Sequence, residues 1–462
     1  MDILDVLRKD VSQPLVDLGL IEIYRTDSTV PSYSGPGYLS RDSEGQLKVK
    51  CYSHGSDREI FESINSSQPG QLIPQSEYYN LVLSDFYGKK WVTNSALLDF
   101  SSGAIRDQLV VEAYINQLTY SDTTSLDFGI PTLNVFFNTD VEIPGNALLE
   151  TEVKVRGERR ASSRGLRAAT FRSCGYEFEI GDTRDVGRSI LVVKPADAIP
   201  SIGFSALFCS QVCDALTFVL GQEIGWAKCA IYGGHTETIT INAPVSIEIR
   251  KSNSPVPMYG PRHAEDVWNL FDCFLKYIYL QENEGRHRIA AYVHQIIRSE
   301  DAVLELQCLV VAVAVEGLLK TEFETSDSAD HIRESISQLT MAIDGTSVAD
   351  EVKKRAIGAI SGLRTTRPYD KLLELSERGL IPLEEVRAWK ALRNSATHAD
   401  KFGSSNFQEY LNKYYQVLTL FNRLVFLKIG YVGHFTNYGK YEGQSWLVQK
   451  FGNRIQTEEN KK

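Results

Sequence analysis

The chain has 462 residues, 43% of them hydrophobic and 23% charged, with a formal net charge of −10. That length is too great for one ordinary core and calls for two or three domains, while the composition excludes wholesale disorder. The acidic balance excludes a protein that coats nucleic acid non-specifically, but leaves room for a local basic site on an acidic body.

The first residues, "MDILDVLRKD", carry acidic side chains and no apolar stretch of the secretory kind, so no signal peptide is expected. From there to about residue 250, short apolar segments are broken by Gly, Pro, Ser, Asn and Asp. Examples are "LIEIYRTD", "QLKVKCY", "YYNLVLSDF", "QLVVEAYI", "TLNVFFNTDVEI", "YEFEIGD", "SILVVKP" and "ETITINAPVSIEIRK". Their period-two alternation and their β-branched and aromatic residues predict strands, mostly in antiparallel pairs. Tyr78, Tyr79, Phe86, Tyr87 and Trp91 read as packing within this half. "GFSALFCSQVCDALTFVLGQ" places apolar residues at 204, 207–208, 212, 215–216 and 219–220, which predicts one embedded helix.

The same half holds "VKVRGERRASSRGLRAATFR", which sets Lys154 and six arginines against Glu158 alone. Its Gly and Ser residues predict an exposed loop between strands. Arg156, Arg159, Arg160, Arg164 and Arg167 are candidates to grip RNA phosphates or an acidic partner, and equally a solvated charged face.

"KSNSPVPMYGPR", residues 251–262, has three prolines and predicts a linker. After it the pattern is helical for about 170 residues. Val267, Leu270, Phe271, Phe274, Leu275 and Ile278 form one stripe over 264–280. Residues 302–320, "AVLELQCLVVAVAVEGLLK", are apolar nearly all round, which predicts a central helix of a bundle. Further helices are expected over 328–344, 347–363, from Pro382 to about 397, and 405–429. A tail, 431–462, ends in "QTEENKK" and should fray. The expected fold class is therefore α+β: a β-rich N-terminal domain with an embedded helix (1–250), the linker, and an all-α bundle (263–430). The longest apolar run, Cys308 to Val315, is interrupted by Glu316 and falls far short of the ~20 residues of a membrane span. Seven scattered cysteines read as reduced, mostly buried thiols of a cytoplasmic protein.

No Walker loop, Gly-x-Ser-x-Gly elbow or HExxH helix is present. Asp140 followed by Glu152 and Lys154 mimics the order of metal-dependent nucleases, but no fitting strand–turn–strand core stands out. His235 has no second histidine at ligand spacing, so neither a metal nor a cofactor is expected. The candidate chemistry lies in "WKALRNSATHADKF", Trp389 to Phe402. Of eight histidines only His398 has an arginine, Arg393, five residues before it, and Asn394 follows that arginine. The helix from 382 carries its apolar stripe on Leu383, Val386, Trp389, Leu392 and Ala396. Asn394 and His398, at i and i+4, share the opposite face. Arg393 lies about 140° around from His398, so one ideal helix cannot bring both to one substrate. Either the helix ends near Thr397 and His398 swings over its end, or a second copy supplies the missing half.

"LRNSATH", late in a helical domain of about 170 residues, resembles the Arg-x4-6-His motif of HEPN domains. The preceding helix ending "VVAVAVEGLLK" is similar to the central helix of that bundle, which often carries a glutamate, here Glu316. The plan as a whole resembles the ApeA-like abortive-infection proteins of bacteria. The resemblance covers roughly residues 262–430. It implies a dimerising helical bundle with a composite, metal-independent ribonuclease site, RNA as substrate, and a phage-derived trigger sensed through the β-rich half. On that reading Arg393 clamps phosphate, His398 transfers protons, Asn394 orients His398 or contacts phosphate, and Glu316 holds Arg393 or His398. The plainer alternatives are that Arg393 pairs with a bundle carboxylate, that His398 merely ends a helix, and that the bundle is a silent module binding RNA or a protein.

Overall fold

The structure is a computed structural model that describes residues 16–41, 46–54, 73–74, 77–100, 108–139, 141, 143–155, 158–183, 188–196, 204–243, 250–258, 263–280, 285–323, 328–361, 367–398 and 407–452. It is a mixed α and β chain that divides into two compact units, residues 1–214 with 224–249, and residues 215–223 with 250–462.

In the first unit, six strands close on themselves: β1 (Val16–Arg25), β2 (Tyr33–Arg41), β3 (Leu47–His54), β4 (Tyr79–Ser84), β5 (Lys90–Phe100) and β6 (Gln108–Ile115). Their order is β1-β2-β3-β6-β5-β4, and β4 pairs back with β1, so the six form an antiparallel barrel. Alternation supplies the reason. Ile21, Ile23, Leu81 and Leu83 pair across β1 and β4 and point into one core with Val49, Cys51, Trp91, Val111 and Ala113. β2 holds "YSGPG". It is a strand because Gly35 and Gly37 lie against β3, where a Cβ would overlap the carbonyl oxygens of Tyr52 and Lys50. Trp91 is fully buried as expected, but Phe86 and Tyr87 are not packing residues: each is 74% exposed in the turn between β4 and β5.

From β5 the sheet continues through β7 (Gln117–Thr123), β8 (Thr132–Phe137), β9 (Ala147–Val155), β10 (Glu158–Ser173), β11 (Tyr176–Thr183), β12 (Arg188–Pro195), β13 (Trp226–Gly233) and β14 (Thr236–Asn242), in the order β7-β14-β13-β8-β12-β11-β10-β9. The arginine-rich segment expected as a loop is instead the β9–β10 pair. Its backbone runs in ladder register, with Arg159 opposite Lys154 and Arg164 opposite Glu150. Ser162, Ser163 and Gly165 take regular ladder positions, and the two register shifts, at 159/161 and 165/168, pass over Arg160 and over Leu166 and Arg167. The embedded helix is α1 (Ala206–Leu220), and the division between the units falls inside it.

The second unit holds α2 (Ala264–Tyr279), α3 (Arg288–Ser299), α4 (Leu304–Thr321), α5 (Ser328–Asp344), α6 (Asp350–Ser361), α7 (Pro368–Glu377), α8 (Leu383–His398) and α9 (Phe407–Ile429). Helix α4 packs against α3, α7, α8 and α9, which gives it the central place its composition predicts. Its burial is nonetheless one-sided: Val311, Ala312, Ala314, Val315, Leu318 and Leu319 are buried, whereas Leu306, Leu309 and Val313 are exposed.

Two stretches differ from expectation. Residues 251–258, expected as a linker, are fixed in place: Ser254 Oγ donates to Val219 O, Ser252 Oγ donates to Glu300, and Tyr438 OH donates to Ser254 O. Residues after 430 form a hairpin, β15 (Gly433–Glu442) and β16 (Ser445–Phe451), rather than a tail. Phe435 and Phe451 pack around Phe426 of α9, and that burial of aromatic surface holds the hairpin. "QTEENKK" lies outside the described residues. All seven cysteines are free thiols, five of them buried. Among the described residues, no helix is long and apolar enough to cross a membrane.

Candidate functional site

Helix α8 starts directly after Pro382, whose carbonyl accepts from Glu385 N and Val386 N and so opens the first turn. Of its expected apolar stripe, Val386, Trp389 and Leu392 are buried, Leu383 in the first turn is 40% exposed, and the Ala396 side chain lies outside the described residues. Trp389 Nε1 donates to Ala312 O of α4 at 3.0 Å. One turn further, Arg393 Nε donates to Glu316 Oε2 at 2.7 Å. Both bonds join residues 77 apart, so α8 runs parallel to α4 with a constant offset.

Glu316 is the centre of a small charge cluster. Its other oxygen accepts from Lys320 Nζ at 2.6 Å. The Arg393 guanidinium beside it, with Lys320, holds the Glu316 carboxyl below the usual carboxylate range, against the opposing effect of partial burial. The bond to Glu316 in turn raises Arg393. The guanidinium also stands over the Trp389 ring, 5.9 Å from its centroid. The Arg393 side chain is 43% exposed against 19% for Glu316, so the cation is presented to solvent from a carboxylate that is half-sunk in the bundle.

Asn394 is exposed beside Arg393. The helical backbone of α8 reaches His398, whose side chain lies outside the described residues, as do those of Arg159, Arg160, Arg164 and Arg167. Arg156 and Asp140 lie outside them entirely. Since α8 is helical through His398, the angular argument applies: Arg393 and His398 are separated by about 140° in azimuth and about 7.5 Å along the axis. Arg393 and Glu316 are thus brought together within one chain.

Sequence spacing missed the cations at the C-terminal end of α4. Lys371 of α7 donates to Leu319 O and Phe323 O at 3.0 and 2.6 Å, and Lys428 of α9 donates to Glu322 O at 2.6 Å. They satisfy carbonyls that a helix end leaves open, and they place positive charge where the helix dipole is negative. Lys371 and Lys428 are tens of residues away from α4 in the chain, so no local pattern could announce them. The constant offset sets His398 level with Thr321, at this same end.

A second missed feature is a buried polar group at the other end of α8. Glu385 is 3% exposed and accepts from Arg423 Nε of α9 at 3.1 Å, while its second oxygen has no hydrogen-bond partner. Arg423 also donates to Gln449 of β16 at 3.2 Å and stands over Phe435. Burial pushes the Glu385 carboxyl up to about 7, in spite of Arg423. Among the described residues no group of three or more His, Cys, Asp or Glu side chains is arranged to hold a metal ion. His235 sits in the turn between β13 and β14, with Nδ1 3.3 Å from Leu126 O.

No protein-family model, curated protein or solved structure matches this chain.

Proposed function

We propose that the second unit is a metal-independent endoribonuclease of the HEPN type, acting in anti-phage abortive infection, with its site completed across a homodimer. The observation that carries the reading is Arg393, presented to solvent at the end of a parallel helix pair and oriented by Glu316 over Trp389. RNA brings its own nucleophile, the 2′-hydroxyl. Cleavage then needs a base for that proton, an acid for the departing 5′-oxygen, and positive charge against the phosphorane. In this reading His398 moves the protons, since imidazole titrates near neutrality. Arg393 holds the phosphate through a fork that stays charged at any working pH. Asn394, on the same face of α8 as His398, orients it or meets a neighbouring phosphate. The products would be a 2′,3′-cyclic phosphate and a 5′-hydroxyl. The HEPN-like bundle and the sensing role of the β-rich unit rest on the motif and the plan of the chain.

One observation favours a second reading. Glu316 engages Arg393 much as a purely structural ion pair would, which suits a silent module that binds RNA or a protein partner. Subunit mixing separates the two. Arg393→Ala and His398→Ala should each abolish cleavage while leaving a folded dimer. If Arg393 and His398 act across the dimer, mixing the two dead variants should restore about a quarter of the wild-type rate. Random pairing makes half the dimers mixed, and each of those has one of its two sites intact. Full activity in either single variant overturns the catalytic assignment. No recovery on mixing overturns the composite site.

A further inference from the structure

At the start of α2 one carboxylate faces two histidines. Asp266 Oδ1 accepts from the backbone N–H of His434 in β15 at 3.0 Å, and Asp266 Oδ2 lies 3.0 Å from His434 Nδ1. An ionised carboxylate only accepts, so His434 Nδ1 carries the proton and Nε2 keeps its lone pair. His263, the residue before α2, brings its own Nδ1 to 3.8 Å from the same Oδ2, and the two imidazole rings stand edge to face with centroids 6.1 Å apart. The side chains of His434, His263 and Asp266 are 46%, 29% and 14% exposed, so the histidines open to solvent and the carboxylate is enclosed behind them. The set is held from both elements. Tyr431 OH donates to His434 O at 2.7 Å, and Asn269 Nδ2 donates to Val432 O at 2.9 Å. Gly433 permits the approach, since a Cβ there would overlap Asp266 Oδ1 and Tyr431 OH. A carboxylate that only anchored β15 would need His434 alone. The second ring, whose enclosed Nδ1 has no hydrogen-bond partner, is surplus to that task.

A carboxylate-held imidazole is a base in fixed orientation, and a second imidazole beside it can supply an acid. One carboxylate balances one imidazolium, so the set with a single extra proton holds an acid and a base together. The amides of residues 264–266 precede the first bond of α2, from Val267 N to His263 O, and the His263 side chain does not cap them. They leave open donors and the positive end of the helix dipole beside the histidines, an arrangement suited to phosphate oxygens. We propose that His434, Asp266 and His263 form a second site, which hydrolyses 2′,3′-cyclic phosphate ends to phosphomonoesters. The choice of substrate rests on the ribonuclease reading, whose first products carry that end. His434 Nε2 takes a proton from water as the water oxygen bonds to phosphorus. The bond from phosphorus to the 2′-oxygen breaks, and His263 gives that oxygen a proton. A 3′-phosphate and a 2′-hydroxyl result, and exchange with solvent returns both imidazoles to their starting states. Asp266 touches no reacting atom and acts as a positioning residue.

Cytidine 2′,3′-cyclic phosphate supplied to the full chain tests this site without any prior cleavage of RNA. Phosphorus NMR should show the cyclic resonance replaced by that of the 3′-phosphate, faster than in buffer alone. His434→Ala and His263→Ala should each lower kcat by about 100-fold or more, with the circular-dichroism spectrum unchanged. Asp266→Asn should lower kcat much more than it changes KM, a split that loosened packing alone would not produce. No turnover by the wild type, or undiminished turnover by His434→Ala, overturns the site. RNA cleaved to ends that stay cyclic removes this site and leaves the ribonuclease standing. Turnover of the cyclic nucleotide by a chain that cleaves no RNA does the reverse.

Discussion

Glu385 offers the most quantitative handle on the helix that carries Arg393 and His398. It sits in the first turn of α8, 3% exposed, with one oxygen on Arg423 and the other without a partner. Two effects oppose each other there. Arg423 favours the carboxylate, and burial favours the neutral acid; burial dominates and lifts the group to about 7 from its usual 4.5. The folded chain therefore keeps a proton that the unfolded chain releases from about pH 4.5 upward. The stability associated with that proton is fully present below about 4.5 and is lost as pH rises through about 7. Two and a half pH units at 1.36 kcal/mol each give about 3 kcal/mol, with no discount for solvent at a site so enclosed. Glu385→Gln keeps the oxygen that faces Arg423 and cannot titrate. Whatever constant cost the amide brings, the stability difference between wild type and Glu385→Gln should shift by about 3 kcal/mol in favour of the variant between pH 4.5 and pH 8. Urea unfolding followed by the helical circular-dichroism signal, at several pH values, measures it. A difference constant within about 0.5 kcal/mol over that range refutes the reasoning, as does a shift in favour of wild type.

The remaining predictions concern the site itself. Glu316→Ala should change stability by less than about 1 kcal/mol, because its partner Arg393 is 43% exposed and solvent screens the pair. If the ribonuclease reading holds, the same substitution should lower kcat/KM for RNA by about 10–100-fold, the worth of one charge-assisted bond that orients a guanidinium. A large loss of stability with unchanged cleavage would place Glu316 in the scaffold alone. Glu316 titrates below the usual carboxylate range, so its contribution to stability is present above about pH 4.5 and lost only as pH falls through that lower value. Cleavage should persist undiminished in excess EDTA, and a strict requirement for added divalent metal would refute the proton-transfer scheme.

The sequence reading succeeded where one element's own spacing decides the outcome. Val386, Trp389 and Leu392 are buried because three- and four-residue steps turn one face of α8 inward, although Leu383, at the start of the same expected stripe, is 40% exposed. It failed where distant segments decide. "VKVRGERRASSRGLR" reads as a loop because Gly and Ser lower strand propensity, yet Ser162, Ser163 and Gly165 pair with β9 in regular register, a partner no local pattern announces. Helices α3 and α7 escaped notice as separate elements within a long helical texture. The polar partners of Arg423, on α8 and β16, are separated from it by 38 and 26 residues, beyond any window that reads local pattern. Among the candidate residues, Arg393 and Glu316 meet as an ion pair, while Lys371 and Lys428, which close the end of α4, are announced by no local pattern.

The regular backbone of α8 through His398 bears on how such a site could be held in check. Had the helix broken before His398, one chain could have folded its imidazole back toward Arg393, and a monomer could have carried a whole site. Helical geometry through that residue keeps the two groups about 140° apart. The Glu316 carboxylate meanwhile ties Arg393 to α4. On the proposed reading, a single copy then holds an oriented cation and, separately, a proton-transfer group, and neither alone would cleave RNA. On the same reading, association of two copies is the step that converts two half-sites into working ones. Restraint in the absence of a trigger then needs no dedicated inhibitor, only a dimer too weak to form at resting concentration, and any event that gathers two copies would switch the site on.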